Sequence, residues 1–341
     1  MNRIVIKLSS SLIVRNGNIQ NSWLKNLGIL IQDLKAQDYD VWLVTSGAGA
    51  VYKLENNREV NDHKSYQSGQ RSMFNLYRNT FSKIGLEVSE VLLSKDELKD
   101  RKKYLKIRER LEDLSNKDRI PLINEKEYIN SKHTFSDNDE IAGLVASLVS
   151  ADKVILATNV EGLLDNEGIC LDKVEFGQKA WMKYIKEEIS DIGRGGMLLK
   201  CKAAEHSANR GVDAVICDGR DINTLRRVIF GENRGTLFVA DRRKKAKKRW
   251  IFDSKDFFTG EITVDQGLAR VIKEGKPASI LTVGISKISG DFLKKEVVAI
   301  KDKNSVIGYG EIRYDASDTR ELIYKKEKKL LIHYNDYVRV I

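Results

Sequence analysis

The sequence predicts an α/β fold with a mainly parallel sheet, followed by a small β-barrel-like module. Three observations carry this. Over the first 240 residues, short apolar runs alternate with stretches of helical apolar spacing, the pattern of parallel strands joined by helices. Past residue 249 the texture changes to short β-like pieces separated by turn residues. Between them stands the charge run Arg242-Arg243-Lys244-Lys245-Ala246-Lys247-Lys248-Arg249, which suits a solvated linker held open by self-repulsion. At 341 residues the chain also exceeds the size at which one core keeps growing, so two domains are expected.

The elements follow in order. Residues 4–8 form a short apolar run ending at Ser9-Ser10-Ser11, and residues 22–37 carry Trp23, Leu24, Leu27, Leu30, Ile31 and Leu34 at helical spacing. Residues 41–44 read as a buried strand stopped by Thr45-Ser46-Gly47, and residues 49–70 as a loop beside Ser46. The alternation continues with a strand at 87–93, a helix over about 96–115, a strand at 120–123, a helix over about 139–149 and a strand at 153–157. A helix over about 197–210 then precedes a strand at 214–217. In such sheets ligands bind outside the carboxyl ends of the strands. The tail offers β-like pieces at 260–265, 279–283, 297–300, 306–312 and 330–333. The expected division is a domain over 1–240, a basic linker over 241–249 and a second domain over 250–341.

Composition narrows the function classes. With 41% apolar and 32% charged residues the chain reads as a soluble globular protein. No stretch approaches the roughly 18 apolar residues of a membrane span, and the start reads as a strand and not as a signal peptide, so a cytoplasmic protein is expected. Cys170, Cys201 and Cys217 are odd in number and widely spaced, against a disulfide framework or a zinc site, and the four histidines show no ligand spacing. No metal site made by the protein itself is expected. The formal charge of +10 is concentrated at the end: residues 241–341 hold 23 Lys/Arg against 15 Asp/Glu. A basic end module points to an anionic partner such as RNA.

Chemistry enters at Gly193-Arg194-Gly195-Gly196-Met197-Leu198-Leu199-Lys200. Glycines at a helix start let backbone N–H groups close on a phosphate, the helix dipole favours its charge, and Lys200 adds a cation one turn in. The Walker order of residues is absent. The other strand-end motifs are Lys7-Leu8-Ser9-Ser10-Ser11, Thr45-Ser46-Gly47-Ala48, Asn124-Glu125-Lys126-Glu127, Ser136-Asp137-Asn138-Asp139 and Thr158-Asn159. Some have plainer readings: Asp137 or Asn138 can cap the following helix, and Ser46 can close a turn.

In this order and at these separations the motifs resemble the amino acid kinase family, most closely its glutamate 5-kinase branch. The tail, with Lys248-Arg249-Trp250, Gly267-Leu268-Ala269, Val283-Gly284 and Gly290-Asp291-Phe292, is similar to a PUA domain. The resemblance implies an α/β/α sandwich, with residues 1–155 on the acceptor side and 156–240 on the nucleotide side. It implies transfer of the γ-phosphoryl group of ATP, with Mg²⁺ carried on its phosphates, to the side-chain carboxylate of L-glutamate, the first step of proline synthesis. Lys7 and Lys200 become the catalytic cations, in keeping with the charge neutralisation that phosphoryl transfer demands. Ser46, Gly47, Ala48, Glu127, Asp137, Asn138 and Asp139 fall at the amino-acid site. Lys7, Ser9, Ser10, Thr158, Asn159, Arg194, Gly195, Gly196, Met197 and Lys200 fall at the ATP site. Ser9 stands where the family has glycine, Glu127 and Asn159 where it has aspartate, and Arg194 where it has threonine. The resemblance further implies a homo-oligomer, dimer or tetramer, and feedback inhibition by proline. Two other readings remain open: a kinase acting on another small carboxylate, and an RNA-binding regulatory protein with a weakened kinase body.

Overall fold

The computed structural model describes residues 2–58, 60, 63–94, 97, 101–126, 138–185, 196–241, 251, 258–303 and 305–340. The chain divides into two compact units, residues 1–95 with 106–242 and residues 96–105 with 243–341. No helix among the described residues is long and apolar enough to cross a membrane.

The first unit begins with β1 (Asn2–Leu8), α1 (Ser10–Ile13), the hairpin β2 (Val14–Arg15) and β3 (Asn18–Ile19), α2 (Asn21–Lys35) and β4 (Tyr39–Thr45). There follow α3 (Ala48–Asn56), α4 (His63–Ser82), β5 (Glu87–Leu93), α5 (Arg101–Asn116), β6 (Arg119–Glu125), α6 (Asn138–Leu148) and β7 (Lys153–Thr158). The unit closes with β8 (Lys173–Val174), α7 (Gly196–Asn209), β9 (Asp213–Asp218), α8 (Ile222–Ile229) and β10 (Thr236–Phe238). The strands form one sheet in the order β5-β6-β4-β1-β7-β9-β10-β8. Its members from β5 to β9 pair in parallel, and β10 runs antiparallel to β9. Their carboxyl ends therefore share one edge.

Strand alternation sends Ile4, Ile6 and Leu8 into an apolar cluster with Leu24, Leu27 and Ile31 of α2, Tyr77 and Phe81 of α4, and Leu225 and Val228 of α8. The opposite sheet face is covered by α6 and α7, and there Trp42 donates its indole N–H to the carbonyl of Leu111 in α5. Helices on both faces make the expected α/β/α sandwich. Every residue of α6 is buried, matching its run of apolar and small residues from Ile141 to Leu148 on all sides. Gly143 lets α7 come close: a Cβ at that position would stand 2.3 Å from Oγ of Ser207.

Residues 49–70 correct the expectation of a loop, since they hold α3 and the first residues of α4. The helical signal in α4 is a narrow stripe, Met73, Tyr77 and Phe81, in an otherwise polar sequence. The hairpin at residues 14–19 and α8 were also not anticipated.

In the second unit, β11 (Gly260–Val264), α9 (Gln266–Lys273), β12 (Ile280–Leu281), β13 (Ile285–Gly290), β14 (Val297–Lys301), β15 (Val306–Glu311), α10 (Ala316–Tyr324), β16 (Leu330–Ile332) and β17 (Tyr337–Arg339) follow one another. A five-stranded sheet in the order β13-β11-β14-β15-β17 packs around Ile262, Val298, Ile300, Ile312 and Leu331, and β12 pairs with β16. The strand expected at 279–283 is cut after Leu281 by a 3-10 turn at Thr282–Gly284, where the Thr282 hydroxyl takes the N–H of Lys329 at 3.0 Å and donates to the Glu327 carbonyl.

Candidate active site at the strand carboxyl ends

Lys7 is the last residue but one of β1 and points to the face covered by α6, where its neighbours Val5 and Trp42 are apolar. An ammonium placed there loses its water and needs a counter-charge. Asp139, in the first turn of α6, supplies it: Oδ1 lies 2.8 Å from Nζ of Lys7, and Oδ2 lies 2.8 Å from Nζ of Lys200 in the first turn of α7. One buried carboxylate thus holds two lysines from two different elements. Burial pushes the Asp139 carboxyl up, but the charges of Lys7 and Lys200 and their hydrogen bonds outweigh it, leaving the group below the usual carboxylate range.

The surrounding loops are tied to the same edge. Ser9 donates its N–H to the Ala157 carbonyl at 3.1 Å, joining the turn after β1 to β7. Ser46, just past β4, gives both its N–H (3.2 Å) and its hydroxyl (3.0 Å) to the Leu8 carbonyl. Gly47 caps α3 with φ of 111°, a conformation side chains rarely adopt, and a Cβ there would stand 3.2 Å from that of Ser10. Ala48 opens α3 and is buried. At the end of β7, Thr158 is buried and its carbonyl takes the N–H of Gly219 at 2.7 Å, while its hydroxyl approaches the Asn159 amide oxygen at 3.4 Å. Asn138 begins α6, and Gly196 and Met197 begin α7. Asn124, at the end of β6, is buried, with Oδ1 accepting the N–H of Glu125.

The strand ends therefore bring Lys7, Ser9, Ser10, Ser46, Gly47, Thr158 and Asn159 to one edge, and helix starts add Asn138, Asp139, Gly196, Met197 and Lys200. The expected residues Glu127, Asp137, Arg194 and Gly195 lie outside the described residues, as does the basic run 242–249. Asp139, expected at the acceptor amino acid, has both carboxylate oxygens engaged by the two lysines. Three further residues of this region escaped the sequence reading: Glu140, His206 and Arg210. Oε1 of Glu140 lies 2.5 Å from Nη2 of Arg210, and Oε2 lies 2.9 Å from Nδ1 of His206. No motif signals that cluster, because the three residues are joined only by the packing of α6 on α7.

An α/β/α sandwich that sets one lysine from a strand carboxyl end and one from a helix start on a single buried carboxylate defines a class of protein built to hold anionic oxygens, the requirement of phosphoryl transfer. The amino acid kinase family model matches residues 2–218, and the PUA domain model residues 260–334. The chain belongs to the amino acid kinase family. Among curated relatives, glutamate 5-kinase of Chlorobaculum tepidum is 32% identical over 98% of this chain and 96% of its own length. Glutamate 5-kinase of Thermotoga maritima is 31% identical, covering 94% of this chain and 91% of that protein. Among solved structures, N-acetylglutamate synthase from Neisseria gonorrhoeae matches at a TM-score of 0.54 and 13% identity, over 70% of this chain and 60% of its own, a likeness of fold.

Proposed function

We propose that this protein transfers the γ-phosphoryl group of ATP to the side-chain carboxylate of L-glutamate, giving γ-glutamyl phosphate and ADP. A glutamate carboxylate oxygen forms the new bond to the γ-phosphorus, the bond from that phosphorus to the β,γ-bridging oxygen breaks, and ADP leaves with the electron pair. The observation that carries the reading is the pair Lys7 and Lys200 on the two oxygens of Asp139. Both reactants are anions, so bringing them together requires fixed positive charge. Lys7 and Lys200 supply it from two directions, and Asp139 keeps their ammonium groups in place between turnovers. Mg²⁺ carried on the ATP phosphates would supply further charge neutralisation; with both Asp139 oxygens occupied by lysines, that carboxylate is not a ready ligand for it. Ser46, Gly47, Ala48, Glu127, Asp137, Asn138 and Asp139 are assigned to the amino acid, and Lys7, Ser9, Ser10, Thr158, Asn159, Arg194, Gly195, Gly196, Met197 and Lys200 to the nucleotide.

The names of the full-length relatives favour glutamate over another acceptor. The test is ADP release from ATP and Mg²⁺ with a panel of amino acids. Release with glutamate and not with aspartate or acetylglutamate supports the assignment, and release with another acid alone overturns it. The reading extends to inhibition by proline, to assembly as a dimer or tetramer, and to RNA as partner of the basic PUA unit.

A further inference from the structure

α6 carries two adjacent carboxylates, and only the first reaches the lysines. The second, Glu140, is directed at the body of α7, where Arg210 and His206 meet its two oxygens at 2.5 and 2.9 Å. A carboxylate only accepts, so Nδ1 of His206 carries the proton in that contact. The side chain of Arg210 is 1% exposed and that of Glu140 11%. Burial pushes the Glu140 carboxyl up, but the Arg210 charge and the hydrogen bond from His206 hold it well below the usual range. Such a buried pair adds little net stability over well-packed apolar residues, because its desolvation offsets its attraction. It does fix geometry, since each planar group accepts only a narrow range of partner positions.

That geometry bears on Lys200. The first turn of α7 has little apolar burial of its own, with Leu198 at 38% and Leu199 at 37% exposed. Lys200 is therefore placed by the rest of the helix. His206 follows it on α7 by about 9 Å at the helical rise, and Arg210 stands just past the end of that helix, its N–H bonded to the His206 carbonyl at 3.0 Å. Gly143 brings this part of α7 into close approach with α6 beside Arg210 and Ser207. We propose that Glu140, through Arg210 and His206, is a positioning residue for phosphoryl transfer: it fixes the rotation and register of α7 on α6, so that Lys200 meets the Asp139 carboxylate that Lys7 shares.

This inference rests on Lys200 being a catalytic cation, and the test separates the two. Turnover of the full-length enzyme is measured for Glu140→Gln, Lys200→Ala and the double variant, with apparent KM for glutamate and ATP. Glu140→Gln should lower kcat by about 10- to 100-fold and move KM for glutamate less than threefold. In the Lys200→Ala background the same change should matter less than twofold, because the group it positions is gone. An undiminished effect in that background, or wild-type kcat in Glu140→Gln, overturns the proposal. Wild-type turnover in Lys200→Ala itself overturns the catalytic reading beneath it. If Glu140→Gln does not fold, His206→Gln, at a partly exposed position that keeps a donor, takes its place in the same cycle with an expected three- to tenfold loss of kcat; no loss would equally refute the positioning role.

Discussion

Replacing Asp139 by asparagine removes the negative charge that, among the described residues, stands between Lys7 and Lys200. The ammonium groups sit at 2.8 Å from opposite oxygens of that carboxylate, with the Lys7 and Asp139 side chains 7% and 10% exposed. Taking one partner from a buried ion pair costs about 3–5 kcal/mol, since the remaining charge stays desolvated. Here two charges remain, and at about 5 Å and an effective dielectric near 20 their mutual repulsion is about 3 kcal/mol. The asparagine carbonyl still accepts one hydrogen bond, so the net loss should lie near the upper part of the 3–5 kcal/mol range. Urea denaturation at pH 7 measures it, and an anion supplies the control. Sulfate or phosphate at matched ionic strength should return part of the lost stability to Asp139→Asn and do much less for the wild type, because ligands that bind the native state alone stabilise it. An unchanged midpoint, or equal anion stabilisation of both proteins, would refute the idea that this carboxylate is the counter-charge of the two lysines.

Four other outcomes are expected. Lys7→Ala and Lys200→Ala should fold and lose about 10²- to 10³-fold in kcat, read as ADP release. Gly143→Ala, whose new methyl would press on Ser207, should cost about 1–3 kcal/mol, and Ser207→Gly in the same chain should restore most of it; additive losses in thermal denaturation would contradict the close approach. Asp139 and Glu140 are both held below their ordinary range, by the lysines and by Arg210 with His206 against the upward push of burial. The unfolded chain therefore takes up more protons as pH falls below about 4.5, so the stabilisation is complete above that pH and is lost in acid; Glu140→Gln should flatten the fall. Proline should raise the apparent KM for glutamate severalfold in steady-state kinetics, a coupling of about 1–3 kcal/mol.

The parallel sheet was legible because β1, β4, β6, β7 and β9 are buried runs of apolar residues, which read as strands without any partner. Lys7 stood out for the same reason, as a charge at the end of such a run. What stayed hidden was set by packing across long separations. Asp139 looked like a residue of the acceptor site, and only the placement of α6 against β1 and α7 gives it two lysines. Glu140, His206 and Arg210 belong to no motif; Glu140 and Arg210 are buried because α6 is covered on all sides, and His206 meets them from a partly exposed position. α4 was missed because its polar residues outnumber the thin buried stripe at Met73, Tyr77 and Phe81, and α3 because its nine residues bury only Ala48 and Val51.

The position of β1 has a bearing on how the chain matures. That strand leaves the ribosome well before one of its two neighbours, β7, which begins at Lys153. At about 5–20 residues per second, roughly 10–30 s pass before that neighbour is synthesised. Throughout that interval one side of the central strand has no ladder, and for most of it Lys7 has no Asp139 to pair with. Lys200 arrives later still. The nascent chain must therefore exist for some seconds as a half-sheet with an open apolar edge. Chaperone dependence should accordingly concentrate on nascent chains that end before β7, which spans Lys153–Thr158, can close the sheet.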